Sequence, residues 1–429
     1  MKLSNNLWLY SFSLLLFLGL SSCVKDECER EVTYLQSTPI FMTKDEIREG
    51  TPVVEAARSL ENPGQFYYYS EHILIAEKGE GIHIIDNRDP RAPRAISFLS
   101  IPGADNMAVK DNILYVNNFI DLLAIDITNI EQASLIGRTP DVFQPLWEDL
   151  STGQVLVRYD INEVTEKMDC ASFSALRNWG GLWVDNATFN TFESGNVAAG
   201  GDFSNGGVGI GGSLARFSIV GDYLYSVSDT QLDVISLLQA QQPERVNTIN
   251  LGWGIETIFP YQDKLFIGSN SGMFIFDNSN PAAPTQLSAF AHARACDPVF
   301  VKDNYAYVTL RDGSLCEGFV NQMDLVDITD LTNPTLEKSF PMDNPHGLTI
   351  RGNDLILCEG IHGLKVFDIT DPKTLDQHLL DTYTNVHAVD AISLPGNDPI
   401  TVVIGEEGFY QFLLNPTTGF ELLSLIPTK

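Results

Sequence analysis

Seven positions, most of them about forty residues apart, carry mostly carboxylate and imidazole side chains, groups that bind cations and transfer protons. The positions are Gln65, Asp105, Ala215, Glu256, Asp297, His346 and His387, and Arg216 directly follows the third. With Arg216 in place of Ala215, these are the candidate ligand-binding residues. Three carboxylates and two imidazoles can hold a divalent cation or a cationic ligand, and a hydrated polar rim has the same composition. The sequence leaves the metal undecided and assigns no catalytic residue.

Three cysteines, Cys296, Cys316 and Cys358, lie in the same part of the sequence as Asp297 and His346. Cys296 and Cys316 form the simplest disulfide candidate, because the loop of about twenty residues between them would contribute about 3 kcal/mol if closed. The alternative is a metal site in which the Cys358 thiolate and the imidazole of His346 or His362 are ligands. Free buried thiols are the third interpretation.

The elements that must position these residues are short apolar strands, each ending in a turn. Seven copies are found, and most follow one another at about forty residues. They occupy residues 82–86, 122–126, 232–236, 273–277, 323–327, 364–368 and 409–413. A period of this length with several strands per unit is typical of a radial β array. We predict an all-β fold, a seven-bladed β-propeller of four-stranded antiparallel blades.

Most copies of this strand, the third of each blade, close with an aspartate. These residues are Asp86, Asp126, Asp277, Asp327 and Asp368. Their side chains suit turns, since a carboxylate accepts hydrogen bonds from nearby backbone N–H groups. Repetition in most blades indicates turn formers rather than catalytic carboxylates.

Two irregular segments interrupt the period. One interval of about 110 residues places an insertion, about residues 138–212, between blades 2 and 3. A smaller insertion, Arg311 to Gln322, follows the second strand of the fifth blade. With strands named a to d, both emerge where the a strands begin, together with the residue column, and we call this side the first face. The a–b and c–d turns lie on the opposite, second face. Binding residues concentrate on loops, so the first face is the candidate binding surface.

The larger insertion carries three tryptophans and a glycine-rich stretch. Trp147, Trp179 and Trp183 can stack on a sugar ring or cover an apolar ligand, or they can pack the loop onto its own blade. Residues 32–42 read as an additional strand, which we expect to close the ring by pairing with the last blade.

The repeated strand resembles that of the LVIVD-repeat β-propeller family, over about residues 65–427. Ser236 and Leu413 depart from it at the closing position. The resemblance implies the propeller fold and brings no agreed activity.

The N-terminus has the features of a secretory signal. Lys2 precedes an apolar run from Leu14 to Leu20 that is too short to span a bilayer. Leu20-Ser21-Ser22-Cys23 resembles a bacterial lipobox, which implies cleavage after residue 22 and lipidation of Cys23. Lys25-Asp26-Glu27 resembles the surface-export signal of Bacteroidota lipoproteins. We expect a signal peptide at 1–22, a lipidated tether at 23–31 and the propeller at 32–429, in an outer-membrane lipoprotein exposed on the cell surface.

Composition and missing motifs restrict the function. A formal net charge of −30 disfavours nucleic acid as a partner. The sequence has no Gly-x-Ser-x-Gly, His-Glu-x-x-His or Cys-x-x-Cys-His motif. We expect a membrane-anchored, non-enzymatic module that binds a protein, glycan or small molecule and needs no cofactor beyond a divalent cation at the rim. The alternatives are an envelope hydrolase or lyase that uses the His–carboxylate ring, with or without a metal, and a structural component of an envelope complex.

Overall fold

The structure is a computed structural model that describes residues 29–145, 147–169, 210–211, 215–291, 298–311, 320–415 and 418–429. The chain divides into two compact units. The smaller unit comprises Met1–Phe41 with Arg158–Phe189, and the larger comprises Met42–Val157 with Asn190–Lys429. Cys23, Cys28, Cys170, Trp179, Trp183, Cys296, Asp297 and Cys316, on which sequence predictions fall, lie outside the described residues. Within the described residues, no helix is long and apolar enough to cross a membrane.

The smaller unit is built on two long strands. Strand β1, Glu29–Thr43, is hydrogen-bonded to β12, Gln154–Asp169, and β12 also pairs with β11, Glu148–Asp149. Residues 32–42 therefore form a strand, as predicted. The predicted pairing of these residues with the last blade was wrong, because β1 pairs with β12. The sheet formed by residues 388–427 contains no strand from outside that range.

Among the described residues of the larger unit there are seven four-stranded meanders, and all their neighbouring strands are antiparallel. Strands a, which begin at the first face, are β3 (Pro63–Tyr69), β7 (Met107–Lys110), β14 (Phe217–Val220), β18 (Ile255–Tyr261), β22 (Val299–Lys302), β26 (Leu348–Arg351) and β30 (Ala388–Ser393). Strands b are β4 (His72–Glu77), β8 (Ile113–Asn118), β15 (Tyr223–Val227), β19 (Lys264–Ser269), β23 (Tyr305–Leu310), β27 (Asp354–Cys358) and β31 (Ile400–Gly405).

The outer half of each meander follows the same order. Strands c are β5 (Gly81–Asp86), β9 (Asp121–Asp126), β16 (Gln231–Ser236), β20 (Gly272–Asp277), β24 (Gln322–Asp327), β28 (Leu364–Asp368) and β32 (Gly408–Asn415). Strands d are β6 (Arg94–Ser100), β10 (Ser134–Thr139), β17 (Glu244–Asn250), β21 (Thr285–Ala291), β25 (Thr335–Pro341), β29 (Leu379–Tyr383) and β33 (Gly419–Pro427). The third and seventh meanders form despite Ser236 and Leu413. The predicted all-β, propeller-type architecture is confirmed.

Short elements complete the described part of the chain. Meander 1 gains two strands: β2 (Val53–Ala56) pairs with β6, and β13 (Ile210–Gly211) pairs with β3. Helix α1 is Lys44–Glu49, and 3₁₀ turns occupy Ile130–Gln132 and Pro372–Gln377. Arg138 belongs to β10, so the insertion after meander 2 begins beyond Thr139 and not at residue 138.

Repeated hydrogen bonds fix the second face. In five c–d turns an Asp carboxylate accepts from the backbone N–H two residues on: the acceptors are Asp86, Asp126, Asp277, Asp327 and Asp368. In all seven meanders the residue after the closing position of strand c also donates its N–H to a carbonyl of the a–b turn, as Ile127 does to Asn112 at 2.9 Å. The interpretation of these aspartates as turn formers is confirmed.

A bulge recurs at one place in every meander. In strand c, the c–d register shifts by one residue between the second and the first residue before the closing position, for example between Val234 and Ile235. A bulge of this kind raises the local twist of the strand. The outer strand of each meander is therefore bent at the same level.

Neighbouring meanders bury a shared apolar core. Clusters of buried side chains join each consecutive pair, and a further cluster joins meanders 7 and 1. In the last of these, the rings of Phe66 and Phe409 meet edge-to-face with centroids 5.4 Å apart, and both are fully buried. Burying one such side chain contributes about 1.5–3 kcal/mol. The first and last meanders therefore pack together as neighbours along the chain do.

A buried carboxylate fastens α1 to meander 2. Asp121 is fully buried and receives two hydrogen bonds from Arg48 at 3.0 Å, one from Arg138 at 3.1 Å and one from the Asp141 N–H at 2.9 Å. Lys44 bridges Asp141 and Glu148 at 2.9 Å each. The base of the large insertion is thus held on the b–c turn of meander 2.

Candidate functional site

The described members of the residue column lie on the a strands or within two residues before them. Strand a is an edge of its four-stranded meander, and successive a strands lie next to one another. Gln65 is buried between two of them: its Oε1 accepts from the Met107 N–H at 2.6 Å and its Nε2 donates to the Met107 carbonyl at 3.2 Å. This side chain fastens meander 1 to meander 2 and has little capacity left for a ligand.

Asp105 faces solvent at the start of meander 2. Its carboxylate accepts from the Gly79 N–H at 3.1 Å. Desolvation by the surrounding protein raises the pKa of Asp105, against the opposing effects of this bond and of Lys78. The pKa of Lys78 is lowered by desolvation as well. Asp105 is thus exposed to water and at the same time desolvated by nearby protein. This combination is expected for a side chain that lines a recess.

Arg216 and Glu256 lie on the next two meanders. Arg216 Nη1 forms an ion pair with Asp229 at 2.7 Å, while its buried Nε has no hydrogen-bond partner among the described residues. Glu256 is half-buried within β18. Asp297, the fifth member of the column, lies outside the described residues.

His346 is buried at the start of meander 6, with an exposed fraction of 9%. Its Nε2 donates to Asn344 Oδ1 at 2.8 Å, and its backbone is held by Cys358 and Thr309. Desolvation, with Arg311 and His387 as further causes, holds the pKa of His346 well below its ordinary range. The imidazole is therefore neutral at pH 7.

The structure brings His387 to His346. Their rings meet edge-on with centroids 6.3 Å apart. His387 Nδ1 lies 3.1 Å from Glu406 Oε2. Gly360 sits against this pair with a φ of +53°, and a side chain there would collide with Asn344 and with the His346 ring. Close approach of the b–c turn of meander 6 therefore requires glycine at this position.

The thiol of Cys358 is buried near this pair. Burial first, then Asp390 and Glu359, raise its pKa well above the ordinary value. Within the described ranges, no three His, Cys, Asp or Glu side chains converge as a metal site would require. Cys296 and Cys316, the disulfide candidates, stay a prediction.

Sequence reasoning missed the apolar tips of the first face. Trp253 is 82% exposed in the connection from meander 3 to meander 4, and Ile361 is 70% exposed in the b–c turn of meander 6. Leu150 is 89% exposed in the turn between β11 and β12. A signal was present, because glycines flank Trp253 and Ile361 lies in a Gly-x-x-Gly turn. Such short turns leave a large side chain no neighbour to pack against.

A family model described as LVIVD repeat matches residues 293–341, so the chain carries this repeat. No curated protein matches the chain in sequence. The solved structures that resemble it include β-propeller proteins.

Three of these structures illustrate the extent of the likeness. A protein from Lactobacillus plantarum has a TM-score of 0.51 and 13% identity, with 88% of this chain and 96% of that chain covered. BamB from Moraxella catarrhalis has a TM-score of 0.46 and 7% identity, with 88% and 96% covered. Kluyveromyces lactis Hsv2, with its loop 6CD replaced by a Gly-Ser linker, has a TM-score of 0.48 and 10% identity, with 88% and 100% covered. Likeness at these identities concerns the fold alone.

Proposed function

We propose that the protein is a lipid-anchored, non-enzymatic binding module whose larger unit is a closed seven-bladed propeller that binds its partner through the first face. The observation that carries the proposal is the contrast between the two faces. Repeated hydrogen bonds tie down the turns of the second face. The first face presents exposed apolar tips and the variable polar column. Residues that repeat in every meander serve the fold, and binding residues concentrate on the loops that such a scaffold holds.

Closure of the ring is supported by the contacts between its first and last members. Asn87 Nδ2 donates to Gln411 Oε1 at 3.0 Å, and Gln411 Nε2 donates back at 2.6 Å. Leu60 also pairs with Thr428. These contacts join meander 1 to meander 7, which is the adjacency that seven blades in a ring require.

The partner we propose is a protein, a glycan or a small molecule that meets the first face. Trp253 and Ile361 offer rigid apolar contacts, and Trp is enriched among residues that dominate binding energy. The polar column between the tips supplies hydrogen bonds and charge.

Two truncations test this assignment. Partners are captured by crosslinking on intact cells, and the affinity of the recovered partner is then measured. Trp253→Ala with Ile361→Ala should weaken binding by about tenfold or more, since single anchors commonly contribute over 1 kcal/mol. Leu336→Ala, at a 49% exposed position of the outer strand β25, is the matched control and should change nothing. Unchanged affinity in the double variant, or an equal loss in the control, contradicts a first-face binding site.

Anchoring is proposed from the lipobox-like tetrapeptide around Cys23. Two or more acyl chains hold a protein stably at a bilayer, whereas a single chain does not. Replacement Cys23→Ala should abolish incorporation of labelled fatty acid and move the protein from the outer-membrane fraction to the soluble fraction. Unchanged labelling would rule out Cys23 as the anchor.

One observation favours the enzymatic alternative. His346 is neutral beside a second imidazole that contacts a carboxylate, and a neutral imidazole can act as a general base. An envelope hydrolase or lyase using this pair would lose turnover in both His346→Ala and His387→Ala. Ligand binding that survives without any turnover in the native protein supports the binding module.

A further inference from the structure

One short turn of the first face holds an indole out into solvent. Trp253 lies in the connection from β17 to β18, between two glycines. The φ angles are +96° at Gly252 and +82° at Gly254, a conformation that other residues rarely adopt. The chain therefore bends tightly on both sides of Trp253, and the indole is left largely exposed.

The backbone of this turn is anchored at both ends. At its start, the Leu251 N–H donates to the Thr230 carbonyl at 2.9 Å. At its end, the Ile255 N–H donates to the Asp229 carbonyl at 3.1 Å. Both acceptors belong to the b–c turn of meander 3. A side chain on a backbone that is already fixed loses less freedom when a ligand binds, so Trp253 is a preorganised contact surface.

Polar side chains border the turn on two sides. In the b–c turn of meander 4, the Asn270 N–H donates to the Gly254 carbonyl at 2.7 Å. The Asn270 side chain lies so close to Gly254 that a β-carbon there would collide with it. In the b–c turn of meander 3, the Asp229 carboxylate is held by Arg216 Nη1 at 2.7 Å and is 59% exposed. A carboxylate and an amide therefore lie beside the base of the turn that presents the indole.

These surroundings favour a sugar ring over an apolar protein surface. Aromatic residues that dominate protein interfaces are surrounded by contacts that exclude water. The two b–c turns that bracket Trp253, residues 228–230 and 270–271, contain only Ser, Asp, Thr and Asn. The ion pair of Arg216 with Asp229 carries no net charge, and the charge of −30 on the whole chain disfavours acidic ligands. The expected ligand is therefore polar and uncharged.

We propose that Trp253, Asp229 and Asn270 form a subsite that binds an uncharged sugar ring of a glycan. The proposal rests on the binding function argued above and names the ligand class for one part of the first face. A pyranose has a face of C–H groups, which can stack on the apolar indole, and a rim of hydroxyls. The hydroxyls can donate to Asp229, and they can both donate to and accept from the Asn270 amide.

Calorimetric titration of the full-length chain with neutral oligosaccharides tests the subsite. The probes are hexamers of glucose, N-acetylglucosamine, mannose and galactose. We expect saturable binding of at least one of them, together with a change in tryptophan fluorescence. Tetramethylammonium chloride is titrated in parallel, because the face of an indole also attracts cations.

Three variants locate the binding. Trp253→Ala should weaken it by about tenfold or more, because the stacking surface is lost. Trp253→Phe keeps a flat ring and should retain part of the affinity. Asn270→Ala should weaken binding less than Trp253→Ala, since a hydroxyl loses its partner while the stacking surface stays.

Ile361→Ala is the matched control. It removes another exposed apolar tip of the first face, on a different meander, and should leave sugar binding unchanged. Trp253 is largely exposed, so Trp253→Ala and Trp253→Phe should keep the native thermal midpoint.

The outcomes separate this proposal from the proposed function. The sugar subsite is wrong if no oligosaccharide binds saturably, if Trp253→Ala binds as well as the native chain, or if only tetramethylammonium responds. Partner binding that still depends on Trp253 and Ile361 would then leave the proposed function standing, with a partner other than a glycan. Sugar binding that is lost in Trp253→Ala, while the captured partner is insensitive to both tips, would support the subsite and contradict that function.

Discussion

At the scale of single residues, His346 links stability to pH. Burial, Arg311 and His387 hold its pKa well below the ordinary value of 6.5, so the unfolded chain takes up a proton near pH 6.5 and the folded chain does not. The free energy of unfolding should therefore fall as pH drops below about 6.5, by up to about 1.4 kcal/mol per pH unit from this group, until the folded pKa is reached.

Denaturant unfolding of the native chain and of His346→Gln between pH 7.5 and 5.5 measures this effect. The stability difference between the two proteins should shrink as pH falls, because only the native chain carries the titrating ring. A difference that is constant with pH would show that His346 is protonated equally in both states.

The sequence located the column of polar residues but not what each member does. Period and register were enough to place Gln65, Asp105, His346 and His387 at the starts of strands a. Gln65 joins two meanders through hydrogen bonds to the backbone of Met107, which is distant in sequence. Enclosure of His346 depends on a close turn at Gly360. Such contacts follow from packing, which a repeat pattern does not contain.

At the scale of elements, the docking of α1 depends on Asp121. Asp121→Asn removes the charge that pairs with Arg48 and Arg138 and should destabilise the protein by about 1.5–3 kcal/mol, the range for hydrogen bonds to charged groups. Hydrogen exchange of residues 44–49 and denaturant unfolding measure the loss. Asp160→Asn, which breaks an exposed pair with Arg158, is the control and should cost under about 1 kcal/mol. Slow exchange of α1 in Asp121→Asn would contradict this role.

The b–c turn of meander 6 depends on Gly363. Its φ is +91°, and a β-carbon would lie 2.0 Å from the Tyr383 carbonyl oxygen. Gly363→Ala should therefore lower the thermal midpoint and shift the His346 resonance, since about 1–3 kcal/mol of strain falls on this turn. Gly50→Ala, at an unobstructed position with φ of −75°, should leave both unchanged. An unaltered His346 signal in Gly363→Ala would show that the turn does not position the ring.

Elements were predictable where a turn residue repeats. Asp126 and Asp327 marked the c–d turns correctly because a carboxylate that accepts a local N–H needs no distant partner. The partner of residues 32–42 was wrong because β12 lies in the irregular insertion, where no period sets the register.

At the scale of the whole molecule, the amide pair between Asn87 and Gln411 tests ring closure. Both side chains are buried, so losing either leaves a buried amide without its partner, at a cost of about 1–3 kcal/mol. In a double-mutant cycle with Asn87→Ala and Gln411→Ala, denaturant unfolding should show a coupling of about 0.5–3 kcal/mol. Additive losses would indicate that meanders 1 and 7 do not meet in solution.

The bulge in every strand d also affects how readily folded molecules can join edge to edge. Within the described residues, β6 is covered by β2, and the other six outer strands would otherwise present straight rows of unpaired backbone groups on which another molecule could add a strand. A residue out of register at the same level in each row interrupts that template and twists it away from a flat neighbour. The repeat that builds this propeller-type architecture therefore also carries its own protection against polymerisation.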